Sequence, residues 1–259
     1  MSRGYLSRWV LLTESTTVYL FLYAPIAILV FFSFNSSRYA IWEGFSLHWY
    51  EILTKDELIL RAIKNSLIVA FASTVASTVM GTLAALGMQR FQFRGKGALD
   101  AMFYLPVIVP EIVMAASLVI FFGSIKFTLG MSTVILAHVA FCVSYVIIVV
   151  RARLEGFDRT LEEAAMDLGA NEYQTFFKIT LPIIAPGILS GALLAFTLSI
   201  DDYVITSFVA GVGSTTLPLQ IYSMVKTKVT PEINAVSTLL LIPTIILIII
   251  SDRLQRERK

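Results

Sequence analysis

EAAMDLGANEYQTFFKITLP, residues 163–182, is a polar island with strongly apolar sequence on both sides. Leu161, Ala164, Ala165 and Leu168 fall at i, i+3, i+4 and i+7, so a short helix opening near Thr160 carries one narrow apolar face. Thr160 and Glu163 have the spacing of a capping box, which would satisfy the first free amides of that helix. Gly169 suits the left-handed residue that ends it, and Asn171 can cap a second short helix with Tyr173, Phe176 and Phe177 on its apolar side. Leu181-Pro182 closes the unit. Two short amphipathic helices joined by a glycine make a knob suited to docking; the plainer alternative is an amphipathic connector lying in a membrane interface.

Around the island the composition is that of a membrane protein. The chain has 259 residues, 57% hydrophobic and 15% charged, with a mean hydropathy of +0.79, far from the average of soluble domains. Apolar runs at about 16–34, 65–88, 99–122, 129–150, from 183 to the Asp201-Asp202 pair, and 233–250 give an all-α fold of six expected transmembrane helices. The first run lacks a small-residue cleavage site before polar sequence, so it reads as a retained helix rather than a signal peptide. Six spans put both termini on one side. Of the 20 Lys and Arg, 13 lie in the termini, the 89–97 loop and the 151–182 region that holds the island, against 7 in the other three connections. Positive charge favours the cytoplasm, so both termini and the 155–182 segment are expected there, in one transmembrane domain covering 1–259.

Small residues mark where helices meet. Ser73, Ser77, Gly81 and Ala85 recur every four residues in the second span, and Gly187 and Gly191 form a GxxxG pair in the fifth; such stripes let helices approach closely in lipid. The single cysteine, Cys142, excludes an intrachain disulfide and reads as a packing residue. A formal charge of +2 implies no nucleic-acid partner. The polar 35–64 segment carries Tyr39, Trp42, Phe45, Trp49 and Tyr50, aromatics that suit a membrane–water boundary.

No enzyme constellation is visible. His48 and His138 stand apart, one in a loop and one in a span, and are expected to be structural rather than metal ligands. The only Gly-Lys pair, Gly95-Lys96, is followed by Gly97, so the chain has no P-loop and binds no ATP in that manner. The informative residues are acids in or near the bilayer, which are costly there and usually face a partner or an aqueous path. Glu111 lies about twelve residues into the third span, near the midplane at roughly 1.5 Å per residue, with Pro106 and Pro110 loosening the helix beside it. Asp201 and Asp202 end the fifth span. With no intramembrane Lys or Arg to pair them, the three acids suit a ligand bearing several ammonium groups, to which Trp49 and Tyr203 offer cation–π faces. Alternatively, Asp201-Asp202 simply ends a helix at the interface, and Glu111 is protonated or bonded to a neighbouring helix.

The spacing Glu163-Ala164-Ala165, Gly169, Ile179 and Leu181-Pro182 resembles the EAA motif of permease subunits of binding-protein-dependent ABC importers. That resemblance implies the type I importer permease fold and a cytoplasmic coupling loop seated on an ATP-hydrolysing subunit. Phe196-Thr197-Leu198-Ser199-Ile200-Asp201-Asp202, the 107–114 run VIVPEIVM and the 217–226 run LPLQIYSMVK narrow it to polyamine permeases of the PotC type, from Phe34 onward. By similarity Trp49, Glu111, Ser199, Asp201 and Asp202 become substrate-path candidates, joined by Tyr203. Glu163, Ala164, Ala165, Gly169, Glu172, Phe176 and Pro182 become candidates for ATPase coupling. Glu111 stands where an aspartate is the commoner form, which keeps the charge and lengthens its reach.

The family implies a homologous second permease subunit, two ATPase subunits that bind the ATP and Mg, a periplasmic polyamine-binding protein, and a place in the bacterial inner membrane. The reading is thus an importer subunit, not an enzyme, that passes spermidine or putrescine inward. The same machine with ferric iron or an organic phosphonate as cargo is one rival, although an anion would call for Lys or Arg at depth. An ion channel is the other, but it would need no docking knob.

Overall fold

The computed structural model describes residues 3–39, 41–227 and 231–256; Lys228, Arg258 and Lys259, counted in the charge balance, lie outside them. Among the described residues the regular elements are helices, apart from one isolated antiparallel bridge between Asn35 and Phe45. The chain divides into two compact units, one built from residues up to 60 with 221–242, the other from 61–220 with 243 onward.

The first unit contains α1 (Arg3–Phe32) and α2 (His48–Leu53). The Val10–Phe32 part of α1 is long and apolar enough to cross a membrane and none of it is buried. After α1 the chain folds around Asn35, whose side chain meets all its hydrogen-bonding capacity. Its Oδ1 accepts from the amides of Ser37 and Glu43, and its Nδ2 donates to the carbonyls of Tyr39 and Ile41. A buried amide so satisfied fixes an otherwise irregular loop.

The second unit holds most of α3 (Glu57–Arg90), then α4 (Lys96–Ile108), α5 (Glu111–Ser124), α6 (Met131–Leu154), α7 (Thr160–Asp167), α8 (Glu172–Thr175), α9 (Leu181–Ile200) and α10 (Val204–Val209). α11 (Leu217–Thr227) and α12 (Pro231–Arg256) complete the order. α6 is the axis: Val134, Ala137, Phe141, Cys142, Val146, Ile147 and Val150 are fully or almost fully buried, and it packs chiefly on α9, with α4 and α10 on its other sides. A helix that is apolar all round belongs in a core. The small-residue stripes meet it as expected. A Cβ on Gly81 would lie 2.7 Å from Val146 Cγ1, and one on Gly187 2.7 Å from Arg153 Cβ.

Three expectations are corrected. The third span is not one helix: α4 and α5 meet at an angle of 111°, because Pro110 has no amide to donate and holds Val109 extended at ψ 132°. The rise-per-residue estimate that put Glu111 near the midplane therefore does not apply. The second span starts earlier than 65, at Glu57, and α11 lies between the fifth and sixth expected runs. Among the described residues, four helices are long and apolar enough to span, or five if α4 and α5 count as one, with a shorter apolar segment at Pro231–Ile246.

Gly81→Leu forces atoms into the α3–α6 contact, an overpacking cost of about 1–3 kcal/mol, whereas Gly87 has open space around it. The melting temperature of the purified protein in detergent is expected to fall for Gly81→Leu and to hold for Gly87→Leu; equal loss in both would contradict this packing.

Candidate functional site

Where α9 ends, the chain turns through Asp201 and Asp202 before α10 begins, and α10 packs on α5, which Glu111 opens. Asp202 serves as the cap of α10. Its Oδ1 accepts from the Ile205 amide at 3.3 Å and its Oδ2 from the Thr206 amide at 2.8 Å and the Thr206 hydroxyl at 2.7 Å. These are two of the amides a helix start leaves unpaired. The same Oδ2 lies 3.3 Å from Nε2 of His138 on α6, with the Asp202 side chain 6% exposed and the histidine fully buried.

From His138 a polar chain continues across the core. Nδ1 lies 2.6 Å from Ser199 Oγ on α9, Nε2 is 3.0 Å from Thr206 Oγ1, and Ser199 Oγ is 2.9 Å from Ser73 Oγ on α3. Ser73 itself bonds the Val69 carbonyl at 2.7 Å. The expectation that His138 stands apart is therefore corrected: α3, α6, α9 and α10 converge on one polar chain through its imidazole. Sequence offered no signal for this, because Ser199 and Thr206 lie 61 and 68 residues from His138 and a periodicity reaches only its own helix.

The other candidates fall differently. Asp201, the residue that follows α9, is exposed, as is Glu111 in the first turn of α5. Glu111 follows directly on the Pro110 break, at the helix end whose free amides favour an anion. Tyr203 precedes α10 and is half-buried. Trp49 belongs to the first unit; it is buried and its indole Nε1–H donates to the Asn35 carbonyl at 2.7 Å, tying α2 to that loop.

The 160–182 segment forms the expected knob, with changes in detail. α7 starts at Thr160, yet no Thr160–Glu163 box forms; instead Asp158 Oδ1 accepts the Thr160 amide at 3.0 Å. That bond holds the Asp158 carboxyl below the usual aspartate range. A carboxyl lowered in this way supports the fold above its ordinary pKa, and the support is lost as pH falls through the lowered value. Gly169 is left-handed at φ +93°, and the Gly169→Met166 and Ala170→Ala165 backbone bonds form a Schellman end. Asn171 caps α8 and exchanges bonds with Gln174. Leu181-Pro182 does not close the second helix. A π-helical turn over Phe176–Thr180 joins α8 to α9, so Glu172–Ile200 is continuous and Pro182 sits in its first α-helical turn.

The knob presents uncovered apolar surface. Leu168 is 90% exposed and Tyr173 71%, with Leu161, Met166 and Phe177 also exposed, while Phe176 packs on the core. Glu163 and Ala164 are exposed and Ala165 is half-buried. On the inner side Glu162 takes bonds from Arg90 at the end of α3 and from Thr180, and Arg159 bonds the Gln89 carbonyl at 2.9 Å. A cleft of about 340 Å³ opens there, lined by Arg90, Arg159, Glu162, Glu172 and Phe176 among others. Arg90, Arg159 and Glu162 were not singled out from sequence; the Arg90–Glu162 and Arg159–Gln89 bonds join residues 72 and 70 apart.

Comparison with known proteins gives the following. The profile of the family described as "Binding-protein-dependent transport system inner membrane component" matches residues 58–256. The spermidine/putrescine transport system permease protein PotC of Haemophilus influenzae is 44% identical over 241 residues, 93% of this chain and 94% of the relative. The putrescine transport system permease protein PotI of Escherichia coli K12 is 46% identical over 229 residues, 85% of this chain and 82% of the relative. Among solved structures, a chain of a bacterial ABC transporter involved in alginate import superposes with a TM-score of 0.77 at 19% identity, covering 98% of this chain and 96% of that one. A chain of the MetNI methionine ABC transporter in an inward-facing conformation gives 0.64 at 18% identity, covering 77% and 95%. The fold is that of ABC importer permease chains.

Gly169→Val places a branched side chain in the left-handed region, at a cost of about 1–2 kcal/mol. Backbone amides of residues 160–175 are then expected to exchange hydrogen faster, while Gly156→Val, with open space and no such φ, leaves them unchanged; unchanged exchange in both would deny Gly169 its role at the joint.

Proposed function

Since this chain belongs to the binding-protein-dependent transport system inner membrane component family, as a membrane-embedded permease subunit and not an enzyme, we propose that its cargo is a polyamine, spermidine or putrescine. The observation that carries the cargo is the 44–46% identity to permease proteins of spermidine and putrescine systems across most of the chain. The chemistry agrees with it. Glu111 and Asp201, exposed at two neighbouring helix breaks, supply carboxylates with which ammonium groups form charge-assisted hydrogen bonds.

In this reading one transmembrane domain of six helices, both ends cytoplasmic, sits in the bacterial inner membrane beside a homologous permease subunit. Two ATPase subunits bind the ATP and Mg, and a periplasmic binding protein delivers the amine. The apolar cap of Leu168, Tyr173 and Phe177 seats in the ATPase, with Glu163, Ala164, Ala165, Gly169, Glu172, Phe176 and Pro182 forming or supporting the contact. ATP binding draws the ATPase pair together, the knob moves with it, and the bundle changes the side to which Glu111 and Asp201 open. Release needs weaker binding in the inward state than in the outward one, since a cargo held equally in both would not be driven anywhere.

Uptake of labelled spermidine into vesicles holding the assembled complex tests this directly. Unlabelled putrescine is expected to compete and lysine not to, and Glu111→Gln is expected to lower uptake about tenfold, the scale of losing one charge-assisted bond, with assembly intact. Normal uptake by Glu111→Gln would remove this residue from the path, and competition by an anion instead of an amine would overturn the cargo.

A further inference from the structure

Asp202 and Ser199 look by position like cargo ligands, but their bonding capacity is already taken up inside the protein. Asp202 accepts from two amides, one hydroxyl and a histidine, with a side chain 6% exposed; Ser199 is 4% exposed and lies between His138 and Ser73. An ammonium group reaching either would have to break this set, at the cost of leaving buried donors unpaired. Their neighbour Asp201 is exposed.

We propose that His138 is a positioning residue for transport: through Asp202 and Thr206 it locks the corner between α9 and α10, and so fixes the direction in which Asp201 meets the cargo. Ser199 and Asp202 then serve the lock and not the amine. Hydrogen counting places one proton of the ring. The Thr206 hydroxyl gives its only hydrogen to Asp202 Oδ2, and an ionised carboxylate only accepts, so the proton between them and the ring sits on Nε2. Nε2–H thus faces the corner through Thr206 and Asp202, whereas Nδ1 faces Ser199 and the stem of α9. The two nitrogens do different jobs: the first aims Asp201, and the second fastens α6 to α9 and, through Ser73, to α3. Such buried polar chains hold one geometry where apolar packing alone would allow several.

The two halves can be separated with amides. Glutamine reaches the Nε2 position and keeps a donor toward Asp202 and Thr206; asparagine reaches only the Nδ1 position. In the complete complex, His138→Gln is expected to keep the KM for spermidine within about threefold, and His138→Asn to raise it about tenfold, the scale of one buried charge-assisted bond. Thr206→Val, which removes the shared hydroxyl with little change of shape, is expected to act as His138→Asn does. Adding Asp202→Asn to His138→Asn is expected to raise KM little further. Equal effects of Gln and Asn, or full additivity with Asp202→Asn, would overturn the lock.

Because this rests on the polyamine reading, a second readout omits the amine. With Asp201→Cys, the rate of reaction with a cationic thiol reagent reports how residue 201 is presented; the native Cys142 is buried. That rate is expected to change several-fold on adding His138→Asn and to hold on adding His138→Gln. If spermidine uptake fails while this pattern appears, the cargo is wrong and the lock stands; if uptake is normal and the pattern is absent, the lock is wrong and the cargo stands.

Discussion

Lipid offers no hydrogen bonds, so a chain that breaks a helix among membrane spans must satisfy the freed backbone groups from within. This protein breaks its second unit's helices twice in places that matter, at Val109-Pro110 and at Asp201–Tyr203. At the first, the interrupting residue is a proline and has no amide to leave unpaired, and Glu111 follows at the helix start. At the second, Asp202 accepts two of the amides that α10 leaves free. The acids and the breaks coincide because each helps to stabilise the other. A carboxylate is favoured beside the free amides of a helix start, and those amides beside a carboxylate.

Everything else in the unit keeps those two corners together. α6 stands in the core with a buried face that runs its length, and Gly81, Gly187 and Gly191 allow α3 and α9 to approach it closely. α10 leans on α5, so the Asp201 corner and the Glu111 corner share one region of the bundle. α9 runs without interruption from that corner to the π turn at Phe176–Thr180 and so to α8. In the proposed coupling, a displacement of the knob is delivered along this single helix to the acids, and π turns inside helices occur frequently at functional sites.

Local signals carried most of this architecture. The apolar runs named the helices, the four-residue stripe in α3 named its packing face, and Gly169 and Asn171 announced the joint in the knob by their own backbone preferences. What remained hidden was choice among near-equal local options and contact across distance. Thr160 and Asp158 could each cap α7, and only the folded geometry favours Asp158. Pro106 lies inside α4 without ending it, while Pro110 bends the chain by 111°; the residue type is the same and the tertiary setting differs. Leu181-Pro182 looked like an end because proline suits a first turn, but a π turn leads into that first turn without a stop. The Asn35 loop and the His138 chain are wholly tertiary, since their partners have no spacing that a periodicity could reveal.

The central claim is that the knob over 160–182 faces the cytoplasm and receives the motion of a neighbouring ATPase. Leu168→Cys, at the most exposed apolar point of the knob, can be probed with a membrane-impermeant thiol reagent in vesicles of opposite orientation. Reaction is expected in inside-out vesicles alone, and to be blocked when the ATPase subunit is present. Reaction from the outer face of right-side-out vesicles would contradict the account whatever the cargo.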